Sequence, residues 1–110
     1  MAYIIVIMTT SNKTEAENIV RQLLKERLIA CANILDSVSS LFWWKEKIEQ
    51  ENETLVLMKS NQKLFKNIVK RVQELHSYDV PEIIVIEVNE REGNPDYFSW
   101  VYTSVYKSSS

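Results

Sequence analysis

The chain has 110 residues, room for one hydrophobic core and hardly two, because domains cluster near roughly 100 to 150 residues. Its 45% hydrophobic and 25% charged content, with one glycine and two prolines, is that of a globular chain with little backbone slack, so disorder is expected only in the tail Ser108–Ser110. A formal charge of -2 argues against nucleic acid, whose binders carry a basic field, and the first eight residues are apolar but far short of a membrane span, so neither nucleic acid nor a membrane is an expected partner.

Tyr3 to Met8 is a continuous apolar run led by Ile4, Ile5, Val6 and Ile7, too short for a helix and β-branched enough for a central strand covered on both faces. Beyond the polar stretch Thr9 to Thr14, the positions Ala16, Ile19, Val20, Leu23, Leu24 and Leu28 fall at helical spacing. Asn12 or Thr14 can cap that helix, and Thr14 with Glu17 fits a capping box. From Ile29 to Trp44 there is neither Gly nor Pro, which predicts a strand much longer than the usual ~5 or 6 residues, one that overhangs its own sheet. Trp44-Lys45-Glu46-Lys47 reads as a hairpin tip, from which a second extended run returns through Ile48 to Leu55-Val56-Leu57-Met58. The two long strands make one arm.

Leu64, Phe65, Ile68, Val69, Val72 and Leu75 then repeat the three-four spacing of a second helix, with Ser60 or Asn61 as cap and Lys63, Lys66, Lys70 and Arg71 on its wet side. After a loop from His76 to Glu82 that contains Pro81, Ile83-Ile84-Val85-Ile86 predicts another doubly buried strand. Gly93 marks a turn, Asn94 suits an N-cap and Pro95 the first position of a third helix. Phe98, Val101, Tyr102 and Val105 share one face of it, while Tyr97, Trp100 and Tyr106 widen the apolar stripe beyond what a small monomer would bury. The order βαββαβ followed by a helix is that of an α+β, ferredoxin-like split βαβ sandwich, a single domain over residues 1–107.

The arm carries the clearest functional signal. Leu41, Phe42, Trp43 and Trp44 are consecutive, so alternation makes both of its faces apolar. An uncovered strand pair of that kind invites aggregation, and a neighbouring subunit in a closed homo-oligomer is the expected cover, with folding back onto the chain's own helices as the alternative. The run Glu49-Gln50-Glu51-Asn52-Glu53 could attract cations but reads as a solvated face rather than a site.

His76, close to Asp79 and Glu82, heads the densest group of metal or proton-transfer ligands in the chain. Against that stands a plain structural role, with His76 capping a helix C-terminus and Asp79 fixing the turn before Pro81. Cys31, between Ala30 and Ala32, reads as a small buried hydrophobe rather than a reactive thiol, and Met8 as core rather than ligand. One cysteine and one histidine cannot supply the four ligands of a structural zinc site. A glycine-rich phosphate loop, a nucleophile elbow, a His-Glu-x-x-His and a CxxC pair are all missing, so no enzyme class is indicated.

Four segments together resemble a known family. Lys25-Glu26-Arg27-Leu28-Ile29-Ala30-Cys31-Ala32-Asn33, Phe42-Trp43-Trp44 with Lys47-Ile48-Glu49, Glu74-Leu75-His76-Ser77-Tyr78-Asp79-Val80-Pro81-Glu82, and Asp96-Tyr97-Phe98-Ser99-Trp100 are similar to the successive signatures of the CutA family of divalent-cation-tolerance proteins. The resemblance implies a compact homotrimer whose extended hairpins pair across subunits, with Phe42, Trp43, Trp44 and Trp100 at the interface. It implies contacts to Cu(II) or another divalent cation at His76 and Glu82, no obligatory cofactor, and a non-enzymatic, cytoplasmic role in the response to metal ions. Imidazole and carboxylate suit borderline ions such as Cu(II) and Zn(II).

Two departures from the family pattern stand out. Met8 replaces a cysteine found in some members, leaving a thioether for a thiolate, and Glu46 replaces a glycine frequent at the hairpin tip. Two other functions fit the same architecture: a trimeric sensor like the PII proteins, binding a small-molecule effector between subunits, and a stable scaffold anchoring a protein partner. The missing phosphate loop argues against the sensor.

Overall fold

In the computed structural model, which describes residues 2–106, the apolar run at the start of the chain becomes β1 (Tyr3–Thr10). It is followed by α1 (Lys13–Lys25), β2 (Cys31–Trp44), β3 (Lys47–Asn61), a 3-10 turn at Gln62–Leu64, α2 (Phe65–Leu75), β4 (Ile83–Val88) and α3 (Pro95–Tyr106). The four strands form one antiparallel sheet in the order β2-β3-β1-β4. This is the split βαβ arrangement the periodicities predict, with β1 and β3 in the centre. The tail Ser108–Ser110 lies outside the described residues, and no helix among them is long and apolar enough to cross a membrane.

Alternation along the strands sorts the core. Ile4, Val6 and Met8 of β1 and Val56 and Met58 of β3 face one side, where Ala16, Ile19 and Leu23 of α1 and Ile68 and Val72 of α2 close over them. Met8 is completely buried there, so it is core. On the other side of the sheet, Val101 and Val105 of α3 cover only the end near Tyr3, with Phe98 tilted against the Tyr3 ring at 5.1 Å. Gly93 leaves room for the Phe98 ring, since a Cβ there would collide with its Cε2. Tyr102 is exposed, so the packed stripe of α3 is narrower than its spacing suggests.

The helix ends differ in detail from expectation. Asn12 is the cap of α1, accepting from the Glu15 amide at 2.8 Å, and Glu15 rather than Glu17 reaches back, its Oε1 accepting from the Ser11 amide and hydroxyl. The far end closes before Leu28. The Leu28 and Arg27 amides bond the Leu23 and Leu24 carbonyls at 3.0 and 3.1 Å, with Arg27 left-handed at φ 60.

β4 departs from its predicted burial. Ile83 and Val85 pack toward the helices, but Ile84 and Ile86 are 52% and 48% exposed on the uncovered face. They lie opposite Ile7 and Ile5 in register. A continuous apolar run announces that both faces are apolar; it does not say that one chain covers both.

At the hairpin tip Lys45 and Glu46 are both left-handed, with φ 49 and 65. This is the primed two-residue turn that matches strand twist and normally calls for glycine. The tip therefore stores strain that Glu46→Gly should release, raising stability by about 0.5 kcal/mol after the added freedom of the unfolded chain is subtracted. A higher thermal midpoint in scanning calorimetry is the expected reading, and a lower one would show that Glu46 makes a stabilising contact.

Candidate functional site: an acidic cleft beside the arm

β1 reaches only to the Thr10–Thr54 pair, so β2 and β3 continue past it as a free two-stranded arm. Leu41, Trp43, Trp44 and Ile48 on that arm are 66%, 72%, 59% and 66% exposed. They do not fold back onto the helices. Phe42 is half-buried, and Trp100, on α3, is 46% exposed beside Tyr97.

A bulge decides which side chains share a face. Leu35 pairs with Leu55 and Val38 with Glu53, so Asp36 and Ser37 together oppose Thr54, and Ser37 takes φ 61. The extra residue reverses the parity of β2. Val38, Ser40, Phe42 and Trp44 therefore share a face with their partners Glu53, Glu51, Glu49 and Lys47. This face borders a cleft of about 930 Å³ whose lining includes Phe42, Trp44, all three glutamates, and Tyr78, Asp79 and Glu82 of the loop after α2. The acidic run, exposed as expected from Glu49 to Asn52, thus also forms one wall of a concave site.

The opposite wall is tied down at its root. The His76 amide makes the last bond of α2, to the Val72 carbonyl at 2.8 Å. Its imidazole is buried, with Nε2 2.7 Å from the Thr9 carbonyl and Nδ1 accepting from the Tyr78 amide at 3.0 Å. A carbonyl can only accept and an amide only donate, so the ring is neutral and carries its proton on Nε2. The Ser77 amide donates to Glu15 Oε2 at 2.8 Å, and that oxygen lies 3.8 Å from Nδ1 of His76. Burial pushes the Glu15 carboxyl up, but hydrogen bonds from Ser77 and Ser11 hold it below its ordinary value of 4.5.

Tyr78 lies over the imidazole at 4.7 Å and donates its hydroxyl to Glu53 Oε2 at 2.9 Å, joining loop to arm. Desolvation, then the Glu53 hydrogen bond and the negative charge of Glu53, Glu51 and Glu15, push its phenol well above the ordinary range.

Of the two residues proposed as metal contacts, Glu82 is exposed at the cleft and free to bind, whereas His76 has both ring nitrogens engaged. A metal on Nδ1 would strip the Tyr78 amide of its acceptor, at a cost of about 1–3 kcal/mol. Among the described residues no three His, Cys, Asp or Glu side chains are grouped to hold a metal ion. The imidazole as placed does not fit a ligand role, and the carboxylates fit one only loosely. Glu15 was missed as a site residue, and Glu53 was set aside with the rest of the acidic run, because their contacts lie 62 and 25 residues away in sequence.

Cys31 is half-buried rather than fully buried, with Sγ 3.4 Å from the Tyr97 hydroxyl. That hydrogen bond, with burial, pushes the Tyr97 phenol up to about 12.

A sequence profile of the family described as CutA1 divalent ion tolerance protein matches residues 4–104. The divalent-cation tolerance protein CutA of Pyrococcus horikoshii is 41% identical over 104 residues, spanning 94% of this chain and 99% of its own. Among solved structures, CutA1 from Oryza sativa superposes with a TM-score of 0.92 at 30% identity, covering 98% of this chain and 97% of its own. A protein from Archaeoglobus fulgidus described as a periplasmic divalent cation tolerance protein CutA superposes at 0.89 with 31% identity, covering 94% and 98%.

Proposed function

The chain belongs to the CutA family of divalent-cation tolerance proteins, and from that premise we propose that it serves cation tolerance as a non-enzymatic homotrimer binding divalent ions along the arm cleft. The observation that carries the binding reading is that Glu49, Glu51, Glu53, Asp79 and Glu82 all line one cleft. Carboxylates that line a groove without closing on one point bind weakly and exchangeably, and water and a neighbouring subunit complete the shell. Affinities of nitrogen and oxygen sites for first-row divalent ions peak at Cu(II), which makes copper the tightest guest of an unselective site. The trimer reading draws on the exposed arm aromatics and the uncovered isoleucines of β4. We place its action in the cytoplasm; the Archaeoglobus fulgidus relative is described as periplasmic, and fractionation of the source cells decides between the two.

Calorimetric titration of the metal-free protein with Cu(II) and with Zn(II), run beside Glu51→Gln/Glu82→Gln, tests the site. Saturable binding with an integral number of ions per trimer, weakened tenfold or more in the variant, is the expected result. No saturable binding of either ion, or binding indifferent to the substitutions, overturns it. ATP raising the thermal midpoint would instead favour the sensor reading.

A further inference from the structure

We infer that His76 is a positioning residue and not a metal ligand: its neutral imidazole, held between the Thr9 carbonyl and the Tyr78 amide, fixes the loop that walls the cleft and aims Tyr78 at Glu53. The inference rests on the cleft reading only in naming that loop as its wall.

The geometry leaves the ring no free donor atom. Nε2 needs its proton for Thr9 at 2.7 Å, and the Nδ1 lone pair receives the Tyr78 amide at 3.0 Å. The side chain is 0% exposed, so an ion cannot approach either nitrogen without displacing protein. Three attachments in consecutive residues define the loop root: His76 to the end of β1, the Ser77 amide to Glu15 of α1, and the Tyr78 amide back to His76. Glu15 is the charged group that faces the ring, at 3.8 Å from Nδ1, and it is already occupied by Ser77. From this root the Tyr78 ring packs on the imidazole and its hydroxyl reaches Glu53 at 2.9 Å, so the orientation of an arm carboxylate depends on a histidine that need never touch the ion.

The test is simplified because the chain has a single histidine. Long-range proton–nitrogen spectra of the 15N-labelled protein should show one protonated and one bare imidazole nitrogen, with the proton on Nε2. Neither should move appreciably when Zn(II), chosen because it is diamagnetic, is added to excess. A large upfield shift of the bare nitrogen would mean coordination and overturn the inference.

His76→Gln and Tyr78→Phe should each weaken Zn(II) binding by a similar small factor without changing the number of ions per chain, and the double variant should be no weaker than either, because the two act as one unit. Additive losses, or a lost ion in folded His76→Gln, would count against it. Should the protein bind neither zinc nor copper, the cleft reading fails but this one is still decided. The wild-type Tyr78 amide should exchange slowly and lose at least tenfold protection in His76→Gln, whereas an amide exchanging freely in the wild type refutes the clamp.

Discussion

Trp43→Ala combined with Trp44→Ala is expected to turn the proposed trimer into folded monomer at low micromolar concentration, as read by sedimentation velocity. Both indoles stand largely free of their own chain, at 72% and 59% exposure. They project to opposite faces of the arm because they are consecutive in β2, so no single helix of the same subunit could cover both. A Trp buries about 150–250 Å² when covered, and at roughly 25 cal/mol per Å² each truncation removes about 4–6 kcal/mol of association energy. Each 1.4 kcal/mol is a factor of about ten, so the loss per arm is on the order of a thousandfold or more. The fold of each subunit should survive. The helix-covered core gathers around Ile4, Val6, Met8, Val56 and Met58, away from the arm, so the far-UV circular dichroism should be unchanged. An unaltered sedimentation profile would show that the arms do not hold the assembly.

The layout of the chain was legible because its signals are local. Ile19 with Leu23, and Ile68 with Val72, repeat at helical spacing and are all buried, and Asn94 caps α3 where the Asn-Pro pair predicts. What escaped depends on contacts distant in sequence. The parity of the arm is set by Asp36 and Ser37 opposing Thr54, and neither is the glycine that usually advertises such a bulge. The acidic run could not be assigned to a cleft until that parity was known. His76 could be named as a donor from its chemistry alone, but the Thr9 carbonyl that engages it lies 67 residues earlier. Asn12 rather than Thr14 took the cap of α1, and Glu15, the residue that closes this box, is also held by Ser77 from the far side of the fold. Local rules rank candidate partners; long-range contacts choose among them.

The face that α3 leaves open supplies the second large effect. Ile84 and Ile86 of β4 lie directly opposite Ile7 and Ile5 of β1, and Leu55 and Leu57 of β3 continue the same side of the sheet. If this face met only water, Ile84→Glu with Ile86→Glu would be an ordinary surface change, within about 0.5 kcal/mol of neutral. In a trimer that closes over the face, the same pair would bring two carboxylates per subunit into an apolar contact. Each buried, unpaired charge costs several kcal/mol, so assembly should fail outright while each subunit keeps its helix-packed core. The expected result is a soluble monomer with native circular dichroism and a thermal midpoint that no longer rises with protein concentration. The two substitutions also separate the contributions of the arm and the sheet. Loss of assembly in both the tryptophan and the isoleucine variants would mean that arm and sheet face are both required. An intact trimer with two glutamates on β4 would mean that the sheet face remains wet and that the arms alone hold the subunits together.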